Sequence, residues 1–262
     1  MLKSLTYSFS RFFWSIYFVL TIGVIGLFFG YILTFALYVL AFLFQPLPSV
    51  SDRIRHLAEN IQCLSIRALL KIQPWNRCQT NFQPILGFYE QFNTRKILFI
   101  ANHRSNLDTF LLISYIPGLR GLAKSSLFQN IFFAPFMIVA GFIPVDKGSP
   151  GSLVRGLKAM KEKILDKNRA VLIFPETTRC EKGAKSMNKF AAAFFALAID
   201  AGALIVPIAI ENTDAVMGRG DFLIHPFQNV RITMLPPIDA KIFTDAMGLR
   251  DLAWAQVKAA LA

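Results

Sequence analysis

The sequence predicts an α/β protein: a mixed, largely buried sheet flanked by helices, with a long apolar element at the N-terminus. Two observations carry the first part. From Lys96 onward, short apolar runs alternate with amphipathic stretches of helical period, the pattern of strands and helices in one layered domain. The runs are continuously apolar rather than alternating, as strands covered on both faces are. A third observation carries the second part: no charged residue occurs between Arg11 and Asp52.

The apolar core of that stretch runs from Phe12 to Phe44. It exceeds the roughly 20 residues that one span requires and falls short of two full spans with a turn. Gly23, Gly26 and Gly30 mark where a bend is easiest. One long tilted span, two half-helices dipping into one leaflet, and a signal peptide are the competing readings. The signal peptide is disfavoured, because the apolar region is too long and no small-residue cleavage pattern precedes the charged region. Lys3 and Arg11 precede the run, and Arg53, Arg55, Arg67 and Lys71 follow it. Basic flanks on both sides favour a membrane-anchoring helical hairpin with both ends cytoplasmic over a single membrane-anchoring helix. Gln45-Pro46-Leu47-Pro48 breaks any helix, so the expected division is an anchoring segment at 1–45 and a domain at 46–262.

Within the domain, Arg53–Ile72 reads as an amphipathic helix with Ile54, Leu57, Ile61, Leu64 and Ala68 on one face. Strands are expected at Lys96–Ala101, Leu119–Lys124, Gly141–Val145, Ala170–Phe174, Leu204–Ile210 and Val230–Leu235. Helices are expected at Leu107–Tyr115, Leu127–Val139 with an interruption at Pro135, Leu153–Asn168, Met187–Ala201 and Asp245–Leu261.

Composition narrows the function classes. Hydrophobic residues make up 54% of the 262, with 26 Phe, and the formal charge is +12. A basic surface favours anionic partners. The apolar N-terminus points to membrane lipids and not to nucleic acid, which gives no use for it. The cysteines, Cys63, Cys78 and Cys180, fit no metal spacing and read as reduced thiols. His56 and His225 read as structural.

Chemistry concentrates at two strand ends, where α/β sheets place reactive groups. The first is Asn102-His103-Arg104-Ser105-Asn106-Leu107-Asp108, between a strand and a helix. The spacing lets the Asp108 carboxylate reach back to one imidazole nitrogen of His103 and leaves the other to face a substrate hydroxyl, the arrangement of a general base. Alone, it also fits a helix cap beside a surface histidine. The second is Phe174-Pro175-Glu176-Thr177-Thr178-Arg179. Two hydroxyls and a guanidinium in a turn suit a phosphate, though a plain strand-ending turn fits equally. There is no G-x-S-x-G elbow and no glycine-rich nucleotide loop, so direct transfer to an acceptor hydroxyl fits best.

In this order and spacing the blocks resemble the lysophosphatidic acid acyltransferase family. Its N-H-x-S-x-x-D motif is complete at Asn102–Asp108. Its P-E-G-T-R motif stands at Pro175–Arg179, with Thr177 where the family has Gly. Its G-x-I stretch ending in Arg is met by Gly141–Lys147, with Lys147 in place of Arg, and its V-P-I stretch by Val206–Ile210. Lys124 matches the Lys that opens the segment before the G-x-I stretch. The match covers Lys96 to Asn212. The resemblance implies transfer of an acyl chain from acyl-CoA or acyl carrier protein to a lysophospholipid, foremost lysophosphatidic acid, with no metal and no further cofactor. His103 would deprotonate the hydroxyl and Asp108 would orient His103. Arg179 with Lys124 would hold the acceptor phosphate, beside Thr177, Thr178 and Lys147, and Glu176 would bind the glycerol part. The domain would sit on the cytoplasmic face of a membrane, the inner membrane in a bacterium. Other readings are a lyso-aminolipid or other lysophospholipid acceptor, a thioester hydrolase, and a catalytically silent lipid-binding protein.

Overall fold

The computed structural model describes every residue except 1, 22–30, 74–76, 83–94, 131–133, 140, 147, 164, 166–168, 185 and 262. Helices α1 (Leu2–Thr21), α2 (Thr34–Leu43) and α3 (Pro48–Lys71) come first, then strands β1 (Arg77–Thr80) and β2 (Ile97–Ala101). There follow α4 (Leu107–Ile113), β3 (Arg120–Lys124), α5 (Ala134–Val139), β4 (Ile143–Val145), α6 (Pro150–Lys163) and β5 (Val171–Ile173). The chain closes with α7 (Ala193–Ala201), β6 (Leu204–Glu211), α8 (Thr213–Met217), β7 (Asn229–Met234), β8 (Ile238–Asp239) and α9 (Ala246–Ala260).

The strands form one mixed sheet in the order β1-β7-β6-β2-β5-β3-β4. Its centre is parallel: β2 lies between β5 and β6, with Ile100 opposite Ile173 and Pro207. β7 and β8 run antiparallel along the same edge of β6. Ile208 pairs with Met234 but Ile205 pairs with Ile238, so the returning chain carries one extra residue between the two strands. Pro236 and Pro237 fall there, where a residue without an N–H is tolerated.

The period-two geometry of the strands sorts the core into two layers. Phe99, Leu172, Val206, Ile208 and Ile210 pack on one face with Leu111 and Leu112 of α4 and Ile66 of α3. Leu98, Ile100, Val171, Ile173 and Ile205 pack on the other, under Met160 of α6, Phe194 and Ala198 of α7, and Leu249 and Ala253 of α9. A sheet buried on both faces is what the continuous apolar runs require. α3 is tied to β3 by a buried ion pair between Glu59 and Arg120, and the Arg120 guanidinium also donates to the Gly118 carbonyl at 2.6 Å.

Several boundaries move for local reasons. The expected helix at Leu127–Val139 is a 3-10 turn at Ser125–Phe128 and then α5, which starts at Ala134. A proline lacks the N–H that a continuing helix needs, so a helix begins beside Pro135 instead of passing through. The helix expected from Met187 begins at Ala193. Residues 187–191 are held out of helical form because Asn188 N–H donates to Glu176 Oε2 and Ala191 N–H to the Pro175 carbonyl. α7 then ends on Gly202, at φ +61°.

The described residues of the N-terminal run include α1 and α2, and no helix among the described residues is long and apolar enough to cross a membrane. The glycines proposed as a bend lie outside the described residues. Trp14 and Phe18 of α1 pack against the core layer that holds Phe99 and Ile224.

Candidate active site

The carboxyl ends of β2, β3, β4, β5 and β6 share one edge of the sheet, and the sequence motifs emerge from it. His103 follows β2 and Glu176 follows β5, its hydrogen-bonded neighbour. Lys124 is the last residue of β3 and is exposed. Lys147, expected just beyond β4, lies outside the described residues.

His103 Nδ1 lies 2.8 Å from Asp108 Oδ2. The same oxygen accepts the backbone N–H groups of Arg104 at 2.7 Å and Ser105 at 2.8 Å. Asp108 is buried and sits in the first turn of α4, so its side chain reaches back over the turn that carries His103. This is the logic of a capping box applied to an imidazole. A carboxylate on Nδ1 holds the ring proton there and leaves Nε2 as an acceptor. Nε2 has no partner among the described residues. The Phe174 ring stacks on the imidazole at 4.1 Å between centroids and fixes its plane.

Glu176 turns inward. Its carboxylate is buried, with Oε1 accepting His103 N–H at 2.8 Å and Oε2 accepting Asn188 N–H at 2.8 Å and the Cys180 thiol at 3.0 Å. Both oxygens thus accept donors inside the protein, which gives the side chain a positioning role at the junction. It joins the two motif turns, and Cys180 N–H closes the same junction by donating to the His103 carbonyl at 2.9 Å. Burial, with Glu176 beside it, pushes the Cys180 thiol up to about 11, so it stays protonated and poorly nucleophilic at neutral pH.

The remaining motif residues surround this junction. Thr177 is exposed and occupies the left-handed region at φ +59°. That backbone suits glycine, and a β-branched residue is strained there. Thr178 and Arg179 are half-buried, and Arg179 has no hydrogen-bond or ion-pair partner among the described residues.

Two further supports carried no spacing signal. Asn102 clamps β2 to β6, donating to the Ile210 carbonyl at 2.8 Å and accepting its N–H at 2.7 Å. Arg104 reaches Asp214 at 3.1 and 3.2 Å and the Ala184 carbonyl at 3.2 Å, and Asp214 also accepts Gly183 N–H. These partners are about a hundred residues from the motif, and only the fold brings them together. His56 pairs with Glu59, and His225 sits with Lys182 and Asp221.

Comparison with known proteins agrees with the motifs. Residues 83–211 match the family described as Acyltransferase. The chain is 27% identical over 151 residues to a 1-acyl-sn-glycerol-3-phosphate acyltransferase of Limnanthes douglasii, covering 57% of this chain and 53% of that protein. It is 37% identical over 128 residues to a protein of the same name from Helicobacter pylori, covering 47% and 54%. The aligned stretch thus spans about half the length of these curated relatives. A solved structure, that of the 1-acyl-sn-glycerophosphate acyltransferase of Thermotoga maritima, superposes with a TM-score of 0.76 over 96% of each chain at 18% identity, which is a likeness of fold.

Proposed function

We propose that this chain, whose residues 83–211 match the family described as Acyltransferase and which is similar to 1-acyl-sn-glycerol-3-phosphate acyltransferases, esterifies a lysophospholipid. The acyl chain comes from a thioester, acyl-CoA or acyl carrier protein, and lysophosphatidic acid is the foremost acceptor. The observation that carries the reading is the 2.8 Å contact of His103 Nδ1 with a buried Asp108 carboxylate at the sheet's carboxyl edge, with Nε2 unpartnered among the described residues.

In this reading Nε2 takes the proton of the acceptor hydroxyl as its oxygen attacks the thioester carbonyl. The imidazolium so formed is stabilised by Asp108. Collapse of the tetrahedral adduct breaks the C–S bond, and His103 returns the proton to the departing sulfur. The ester and a free thiol are the products, and no enzyme residue is acylated. Arg179, unpartnered among the described residues, holds the acceptor phosphate with Lys124 from the same edge.

Membrane attachment belongs to the same proposal. Phe9, Phe12, Phe13, Ile16, Val19 and Leu20 of α1 face outward. Exposed apolar side chains on a helix whose opposite face is packed into a domain suit a helix lying in one leaflet. The catalytic domain then faces the cytoplasm.

The test is an acyl-transfer assay on purified protein with both donor types and a panel of acceptors: lysophosphatidic acid, other lysophospholipids, a lyso-aminolipid, and water alone. Ester formation with a phosphate-bearing lysolipid is the expected result. Thioester hydrolysis without transfer would overturn the reading.

A further inference from the structure

We propose that the loop from Gly218 to Gln228 is a second membrane-inserting element, which together with α1 forms a platform that seats on an anionic lipid leaflet. The proposal rests on the reading of the chain as a membrane-attached enzyme and names a part of that attachment outside the apolar N-terminus.

The loop is built to push aromatic rings outward. Phe222 is 96% exposed and Phe227 69%, while Ile224 between them is fully buried in the core. Ile224 is the inward anchor: its N–H donates to Ser15 of α1 at 3.2 Å. Arg11 of α1 donates to the carbonyls of Leu223 and Ile224 at 3.4 and 3.5 Å. His225 N–H closes the other side on the Val216 carbonyl at 2.8 Å. The loop is therefore fastened to α1 by three side chain–backbone bonds.

Phe227 adds a stronger signal. Its φ is +61°, a conformation that bulky L residues rarely adopt. A packed phenylalanine would account for such strain by burial, but this ring is mostly in the open. One edge meets Trp14 of α1 at 5.8 Å with the planes at 86°. Phe227 thereby continues the outward apolar face of α1, where Phe13 also meets Trp14 at 5.5 Å.

Charge selects the occupant. Asp221, the loop's acidic residue, is neutralised by Lys182 at 2.7 Å and by Gly218 N–H at 3.0 Å. Arg219 is exposed and has no partner among the described residues. The loop thus presents two protruding aromatic rings and one unpaired cation beside an apolar helix face, on a protein of formal charge +12. Aromatic rings at the headgroup level and cations against anionic lipid are the combination that holds a protein at a bilayer surface.

The experiment uses the full chain and vesicles of phosphatidylethanolamine and phosphatidylglycerol. Co-sedimentation is measured for wild type, Phe222→Ser with Phe227→Ser, and Ile242→Ser, the last removing an exposed apolar residue from the turn after β8. The double variant should partition about tenfold or more weakly, with its thermal midpoint and its activity on detergent-dispersed acceptor retained. Ile242→Ser should partition as wild type. A second double variant, Phe222→Ser with Phe227→Gly, relieves the backbone strain and should show the same loss. Wild-type binding with unchanged partition of both double variants would overturn the proposal and leave the membrane reading standing. Failure of the wild type to bind at all would overturn both. A wild-type dimer in detergent that the double variant converts to a monomer, with vesicle partition unchanged, would instead make this face an interface between copies.

Discussion

Glu176 Oε1 accepts the backbone N–H of His103 at 2.8 Å, so the acidic residue of one motif holds in place the turn that carries the imidazole of the other. The two stand 73 positions apart in sequence and meet because β2 and β5 are parallel neighbours. Three donors converge on this one buried carboxylate, which makes it a structural tie between the two turns.

A positioning role and a substrate-binding role for Glu176 predict different kinetics. Glu176→Gln turns one carboxylate oxygen into an amide that faces a donor, whichever way it is flipped. We expect kcat to fall by about 10²-fold, because small displacements of a catalytic group are costly. The KM for the lysolipid should change little, and the thermal midpoint should drop, since hydrogen bonds to a charged group contribute about 1.5–3 kcal/mol each. A raised lysolipid KM with unchanged kcat and unchanged stability would return Glu176 to the acceptor site.

His103→Ala should reduce turnover by about 10²–10⁴-fold while leaving vesicle binding intact. Asp108→Asn is the more discriminating variant. An amide oxygen can still accept from Arg104 and Ser105, so the turn persists, but the charge that stabilises an imidazolium is lost. The expected outcome is a fold near that of wild type, followed by circular dichroism and thermal melting, with a kcat defect approaching that of His103→Ala. Near wild-type turnover in either variant would remove the dyad from the mechanism.

How much of this was legible in the sequence follows from which interactions are local. The strands of the central sheet and the His103–Asp108 pairing rest on apolar runs and a five-residue spacing, and both can be read directly. β1, whose Arg77-Cys78-Gln79-Thr80 has no apolar pattern, exists because β7 offers it a parallel edge. The late start of α7 depends on Asn188 being drawn to Glu176 across the fold. The inward turn of Glu176 was hidden, since a carboxylate in a polar turn reads the same whether it faces solvent or the interior. The placing of α1 against the domain was hidden for a related reason: an apolar run shows how much surface must be buried and not what buries it.

Thr177 gives a prediction about stability. At φ +59° a non-glycine residue carries strain of about 1–3 kcal/mol, and glycine would relieve it at an entropic cost of about 0.5–1 kcal/mol in the unfolded chain. Thr177→Gly should therefore stabilise the protein by about 1 kcal/mol, raising the thermal midpoint by about 2–4 °C for a chain of this size. Turnover on lysophosphatidic acid should be kept or improved. A stable variant with sharply lower turnover would show that the Thr177 hydroxyl or methyl group contacts substrate. A lower melting temperature would show that the side chain stabilises the turn by more than the strain.

Arg179 is half-buried beside the His103–Glu176 junction and is unpaired among the described residues. A guanidinium kept from solvation on part of its surface and given no internal partner is suited to an anion supplied from outside. If that anion is the acceptor phosphate, Arg179→Lys should raise the lysolipid KM despite keeping the charge, because the paired N–H contacts of the planar fork are lost. The donor KM should be little changed and kcat nearly constant, the kinetic form of uniform binding loss. Arg179→Ala should be worse, and its penalty should shrink for an acceptor that lacks a phosphate. Lys124→Ala, at the end of β3, provides the comparison: an exposed ammonium on a flexible stem should cost less than the half-buried fork. Equal losses for Arg179→Ala on phosphorylated and phosphate-free acceptors would mean that the guanidinium shapes the turn and does not read the headgroup. The acceptor would then have to be sought among lysolipids recognised by other groups on this edge.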